Sequence, residues 1–129
     1  MSVRRATHTG QPVFVVEDDA TLREAVRWIL EDDGLQVETA EDGGVAIEWL
    51  RHHRPSLVVL DMGLPVAGGD QVASALRETH GDRVPILLMT ADGRAAEKAR
   101  RVGAAAYVAK PFELDDLVER IVQLMQGSD

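Results

Sequence analysis

Three short, unbroken apolar runs limit what this chain can fold into. Val13-Phe14-Val15-Val16, Leu57-Val58-Val59-Leu60 and Ile86-Leu87-Leu88-Met89 are too short for helices, and each opens at or just after a proline region. None alternates apolar with polar residues. Strands of that kind are covered on both faces, as in a parallel sheet. Leu35-Gln36-Val37 and Ala104 to Val108 are weaker strand candidates.

Helical periods fill the intervals. Leu22, Ala25, Val26, Ile29 and Leu30 fall at offsets of 0, 3, 4, 7 and 8, a single apolar stripe. Asp19 or Thr21 is placed to cap that helix, and Gly34 sits where it would end. Leu114, Leu117, Val118, Ile121 and Met125 repeat the stripe near the C-terminus. Further helices are expected at about 43–53, 70–80 and 93–102, with Gly81 and Gly103 as stops. The segment 94–102 offers mainly Ala95, Ala96, Ala99 and Val102, so it should bury little area and be loosely held. Five β–α units in regular alternation predict an α/β fold: a five-stranded parallel sheet with helices on both faces and right-handed crossovers. Residues 1–11 are expected to form a flexible arm, 12–126 one domain and 127–129 a short tail.

The bulk properties narrow the function. A chain of 129 residues suits one domain. No apolar run approaches the roughly 18 residues a membrane span needs. MSVRRATHTGQP has arginines but no apolar stretch behind them, so no secretory leader is expected. Without cysteine there are no disulfides or thiolate metal sites, which fits a reducing compartment, and a cytoplasmic location is expected. The net charge of −8 argues against direct nucleic-acid binding, which needs a basic face. It equally describes an acidic protein kept soluble by its charge.

The placement of those charges says more than their sum. In an open parallel α/β sheet the site forms at the C-terminal ends of the strands. Glu17, Asp18 and Asp19 follow the first run, Asp61 the third strand, Thr90-Ala91 the fourth and Lys110-Pro111 the fifth. Carboxylates, a hydroxyl and an ammonium thus converge from four strand ends. Clustered carboxylates repel unless a cation intervenes, and a hard oxygen site without Cys or His suits Mg2+, with Mn2+ as the alternative. Such a set meets the needs of phosphoryl transfer, where charge neutralisation and positioning dominate. Asp61, alone at the end of an apolar strand through the sheet centre, is the natural nucleophile.

VVEDD, LVVLDMGLP followed by Gly69, LLMTA and GAAAYVAKPF stand in order at these strand ends. Over residues 12–126 the chain resembles the receiver domains of two-component response regulators. The resemblance implies a doubly wound, flavodoxin-like sheet with strand order 2-1-3-4-5. It also implies that Asp61 accepts a phosphoryl group from a sensor histidine kinase or a histidine phosphotransfer protein. Asp18 and Asp61 would bind Mg2+ through carboxylates, Gly63 through its backbone carbonyl and Glu17 through water. Thr90, the Ala91 backbone and Lys110 would contact the phosphoryl group, and Lys110–Pro111 would be a cis peptide. Tyr107, with Thr90, would be the switch that moves inward on activation. Such a domain is a signalling switch that catalyses only its own phosphorylation and dephosphorylation.

Other residues take plainer readings. His52 and His53 are adjacent, so they cannot face one ligand from a helix; His8 and His80 look isolated, and Trp28 and Trp49 are read as packing residues. Gly63 has no side chain where many family members carry a polar or charged group, and with Asp92, two places after Thr90, it is a position able to alter the lifetime of the phosphorylated state in either direction. The GAAAY segment lacks the paired aspartates that many DNA-binding members use between receiver domains. The main alternative is a receiver-like interaction module not regulated by phosphorylation. A flavodoxin-like redox protein would want a phosphate-cradling loop where Glu17-Asp18-Asp19 stand, and a dehalogenase-type phosphatase would want an aspartate at Gly63. The output is either a separate partner protein or an effector domain on a longer chain; a start at Met1 favours the first.

Overall fold

A computed structural model describes residues 11–91 and 93–126. Most of the expected arm, His8, Asp92 and the expected tail 127–129 lie outside the described residues.

Five strands alternate with five helices: β1 (Val13–Val16), α1 (Ala20–Asp32), β2 (Val37–Ala40), α2 (Gly43–His52), β3 (Leu57–Asp61), α3 (Gly69–His80), β4 (Ile86–Thr90), α4 (Ala95–Val102), β5 (Ala106–Ala109) and α5 (Leu114–Gln126). All ladders are parallel, in the order β2-β1-β3-β4-β5. The three apolar runs are the three central strands, and every residue in them is buried. Their side chains alternate between two cores. Phe14, Val16, Leu60 and Leu88 pack on one face with Leu50 of α2, Leu76 of α3 and Val102 of α4. Val15, Val59, Leu87 and Met89 pack on the other with Val26 and Leu30 of α1 and Leu117 and Ile121 of α5. A strand whose both faces are covered has no solvent side, which is why these runs show no period of two.

Register decides what meets at the C-terminal edge. Val16 pairs with Leu60, Asp61 with Met89 and Thr90 with Ala109. Glu17, Asp61, Thr90 and Lys110 therefore leave the sheet at about one level. Asp19 caps α1, its carboxylate accepting from the N–H groups of Thr21 and Leu22. α4 buries only Ala95, Ala99 and Val102, and polar ties help hold it: the Arg77 guanidinium of α3 donates to the carbonyls of Gly103 at 2.7 Å and Val102 at 3.4 Å.

The structure departs from the sequence pattern at several points. The second strand runs Val37–Ala40 rather than 35–37, because the Leu35 N–H still donates to Leu30 O at the end of α1. β2 is an edge strand with Glu38 turned to solvent, so its apolar signal is weak. β5, the other edge, begins at Ala106 rather than Ala104. Trp28 is not a packing residue: it is 69% exposed, since it lies two positions past Val26 and so on the far side of α1 from the buried stripe. Trp49 does pack, stacked on Phe14 with ring centroids 4.2 Å apart. His80 is not isolated either. Its Nε2 lies 3.0 Å from Leu50 O and 2.9 Å from His53 O, joining α3 to the end of α2. Among the described residues no helix is long and apolar enough to cross a membrane.

Candidate functional site

The loops that leave β1, β3, β4 and β5 build one site. Glu17 follows β1 directly and is almost completely buried, at 1% exposure. Its carboxylate accepts from the Asp19 N–H at 3.0 Å and from Lys110 Nζ at 3.1 Å, while its carbonyl accepts from Arg23 at 2.9 Å. Asp61 ends β3 and is also buried; its Oδ1 lies 3.4 Å from Lys110 Nζ and accepts from the Gly63 N–H at 3.3 Å. Asp18 is exposed at the rim. One carboxylate oxygen from each of Glu17, Asp18 and Asp61 lies within 4.8 Å of the others. Thr90 is buried at the end of β4, Ala91 beside it is exposed, and Lys110 N–H donates to Thr90 O at 2.7 Å. The Lys110–Pro111 peptide is cis.

The electrostatics follow from burial. Loss of water pushes the Glu17 carboxyl above the usual carboxylate range, and the charge of Asp61 adds to this, while the Asp19 N–H and Lys110 pull the other way. For Lys110 burial acts downward, but the hydrogen bond to Glu17 and the charges of Asp61 and Glu17 outweigh it and raise its pKa. One ammonium is thus shared by two buried carboxylates. Oxygen donors alone, close together and partly buried, are the donor set a small divalent cation selects.

The remainder of the site lies on the β3–α3 loop and on α4. Asp61 lines a cleft of about 520 Å3 together with Gly63, Thr90, Ala91 and Lys110 and with Asp70, Lys98 and Arg101. A Cβ on Gly63 would meet nothing within 4 Å, so the cleft is open on that side. Gly69 is the opposite case: a Cβ there would lie 2.6 Å from Met62 Sδ and 3.0 Å from Met62 Cα, so glycine lets α3 begin tight against the loop. Asp70, Lys98, Arg101 and Arg23 carry no motif in the sequence. Asp70 and Arg101 are brought together only by the packing of α3 beside α4. Tyr107 stands on β5 away from this cleft and is 39% exposed.

The family model described as response regulator receiver domain matches residues 13–122. The chain belongs to this family. Response regulator MprA of Mycobacterium sp. strain KMS is 39% identical over 116 residues, covering 88% of this chain and 50% of its own. MprA of Mycobacterium leprae is equally similar, 39% over 116 residues with the same coverage. The chain thus spans about half the length of these relatives. Among solved structures, the non-phosphorylated HemR receiver domain from Leptospira biflexa superposes with a TM-score of 0.81 at 32% identity, over 89% of this chain and 94% of that one. The receiver domain of a Pseudomonas aeruginosa sensor histidine kinase, with a magnesium ion coordinated in its active site cleft, gives 0.79 at 31% identity, over 93% and 100%. The fold and strand order are those of this receiver family. The domain is a receiver of bacterial two-component signalling, a signalling switch.

Proposed function

We propose that Asp61 accepts a phosphoryl group from a sensor histidine kinase or a histidine phosphotransfer protein, and that the resulting change in the domain controls a partner. The observation that carries this reading is the environment of Asp61: a buried carboxylate 3.4 Å from Lys110 Nζ and grouped with Glu17 and Asp18. A carboxylate oxygen of Asp61 attacks phosphorus, the P–N bond to the donor histidine breaks, and the imidazole leaves with the electron pair. Lys110 neutralises charge gathering on the phosphoryl oxygens, as do the Thr90 hydroxyl and the Ala91 backbone N–H. Asp18, Asp61 and the Gly63 carbonyl would hold Mg2+, with Glu17 acting through water; Mn2+ fits the same donors. When bound, the ion supplies charge neutralisation for both carboxylates and the phosphoryl group. Dephosphorylation uses the same groups, with water as the attacking species.

Thr90 and Tyr107 form the switch in this reading. Thr90 moves toward the phosphoryl group, and the half-exposed Tyr107 turns inward behind it. The thin packing of α4 suits such a change, since an element with few buried contacts shifts at small cost. The domain occupies residues 12–126 and acts in the cytoplasm, and its acidic surface does not itself bind nucleic acid. The output is a separate protein or an effector domain on a longer chain. The test is phosphotransfer profiling against the histidine kinases of the source organism, with and without Mg2+ and with Asp61→Asn as control. Label that is Mg2+-dependent and lost in the variant is expected. Label that persists on Asp61→Asn removes Asp61 from the role. A wild type that takes no label and ignores beryllofluoride is instead an interaction module not regulated by phosphorylation.

A further inference from the structure

The cleft that Asp61 and Lys110 line is also lined by Lys98 and Arg101 of α4 and Asp70 of α3. Arg101 holds Asp70 through a parallel fork, Nε to Oδ1 and Nη2 to Oδ2, both at 3.1 Å. The two side chains are 52% and 57% exposed, and an ion pair so exposed has little net strength. Neither helix depends on this pair alone for its place. Asp70 stands in the first turn of α3, where the helix dipole favours a carboxylate. The far end of α4 is tied to α3 separately, by Arg77. Arg101 is therefore a cation loosely committed to one anion, and its planar fork fits phosphate oxygens as well as a carboxylate.

The deep end of the cleft has a use for such a cation. The buried carboxylates of Glu17 and Asp61 share the ammonium of Lys110 there, and Asp18 stands at the rim within 4.8 Å of both, on a chain of net charge −8. The acidic surroundings repel a small anion on its way to Asp61, a divalent cation at the carboxylates offsets this only at close range, and a further cation lining the cleft adds attraction on the approach.

We propose that Arg101 is a donor-recognition residue for phosphotransfer to Asp61, exchanging Asp70 for the phosphoryl oxygens of a small acyl phosphate that enters the cleft. The inference rests on Asp61 being the phosphoryl acceptor. An Asp61 oxygen attacks phosphorus, the bond from phosphorus to the acyl oxygen breaks, and the carboxylate leaves with the electron pair. Arg101 acts on the donor before that step, so it sets donor affinity more than the rate at saturation. Asp70 is a positioning residue that holds Arg101 back while the cleft is empty. Lys98, half-buried and lining the same cleft, adds positive charge on the same approach.

Rates of Asp61 phosphorylation against donor concentration test this, with Mg2+ present, label read by intact-protein mass spectrometry, and Asp61→Asn as control. Acetyl phosphate carries two negative charges at neutral pH and phosphoramidate carries one net charge. Arg101→Ala is expected to raise the half-saturating acetyl phosphate concentration roughly two- to fivefold, the range an exposed ion pair commands. It should leave the saturating rate nearly unchanged and move phosphoramidate less. Asp70→Asn is expected to act in the opposite direction, and Arg101→Lys, which keeps the charge without the fork, to fall between. All three effects should shrink in high salt. The inference is overturned if Arg101→Ala leaves acetyl phosphate affinity unchanged. It is equally overturned if Arg101→Ala and Asp70→Asn shift affinity the same way, since the pair is then only a clamp between α3 and α4. A wild type labelled by no donor, small molecule or kinase, brings down the assignment of Asp61 and this inference with it. A wild type labelled at Asp61 with Arg101→Ala indifferent brings down this inference alone.

Discussion

Two adjacent glycines at the start of α2 should answer in different ways to the same substitution. A Cβ on Gly43 would sit 1.8 Å from Ala67 O and 2.6 Å from Ala67 C, which are backbone atoms of the loop that follows Asp61. Restoring ordinary contact at 3.4 Å requires about 1.6 Å of movement between α2 and that loop. Such a shift breaks the bond from Gly43 N–H to Pro65 O, now 3.2 Å. Overpacking costs about 1–3 kcal/mol and the lost hydrogen bond about 0.5–1.5 kcal/mol, against a gain of at most about 1 kcal/mol from alanine's helix propensity. Gly43→Ala should therefore be about 1–3 kcal/mol less stable than wild type, a fall of roughly 0.5–1.5 M in the urea midpoint. On Gly44 the new Cβ meets Val66 Cγ1 at 3.0 Å and Asp42 Oδ1 at 3.3 Å, side-chain atoms rather than backbone, although Asp42 Oδ1 also accepts from the Val45 N–H at 2.8 Å as the cap of α2; Gly44→Ala should therefore cost less than Gly43→Ala, about 1 kcal/mol or less. Urea unfolding followed by fluorescence measures both, with Trp49, stacked on Phe14 in the core, as reporter. A Gly43→Ala protein as stable as wild type, or less harmed than Gly44→Ala, would refute the reasoning. Propensity would then outweigh the backbone contact.

Three further outcomes are expected. The Glu17 carboxyl binds its proton more tightly folded than unfolded, so its contribution to stability is lost as pH rises from the ordinary carboxylate range through its raised pKa. The stabilisation conferred by Mg2+ should grow over that same interval, and thermal melts with and without Mg2+ across pH 4–8 check it; Glu17→Gln should flatten both trends. Lys110→Met removes the one ammonium 3.1 Å from Glu17 and 3.4 Å from Asp61, and should slow phosphorylation of Asp61 by about a hundredfold or more in single-turnover assays. Arg77→Ala removes donors to Val84 O, Val102 O and Gly103 O, and should cost about 1–3 kcal/mol, with hydrogen exchange accelerating first in α4.

Much of this molecule is legible in the order of its residues. The runs at Val13–Val16, Leu57–Leu60 and Ile86–Met89 announce buried parallel strands, because a strand covered on both faces must be apolar throughout. The C-terminal ends of those strands then locate Glu17, Asp18, Asp61 and Thr90, and the end of β5 adds Lys110, since only a parallel sheet delivers all its exits to one edge. The edge strands β2 and β5 carry a weaker signal. Partial exposure mixes Glu38, Thr39 and alanines into them, and their boundaries shift by one to three residues.

Contacts between residues far apart in sequence belong to the tertiary structure alone. Nothing local ties Asp70 to Arg101, Arg77 to Gly103 or His80 to Leu50, because those pairs exist only where α3 lies beside α4 and α2. The rotation of α1 that leaves Trp28 in solvent, and the close approach that sets Gly43 against the backbone of Ala67 but Gly44 only against side chains, also depend on how elements pack. The difference is physical. Hydrophobic period and strand-end chemistry repeat within a few residues, and so can be read along the chain. A salt bridge or a steric contact across helices depends on distances that exist only after the sheet has formed.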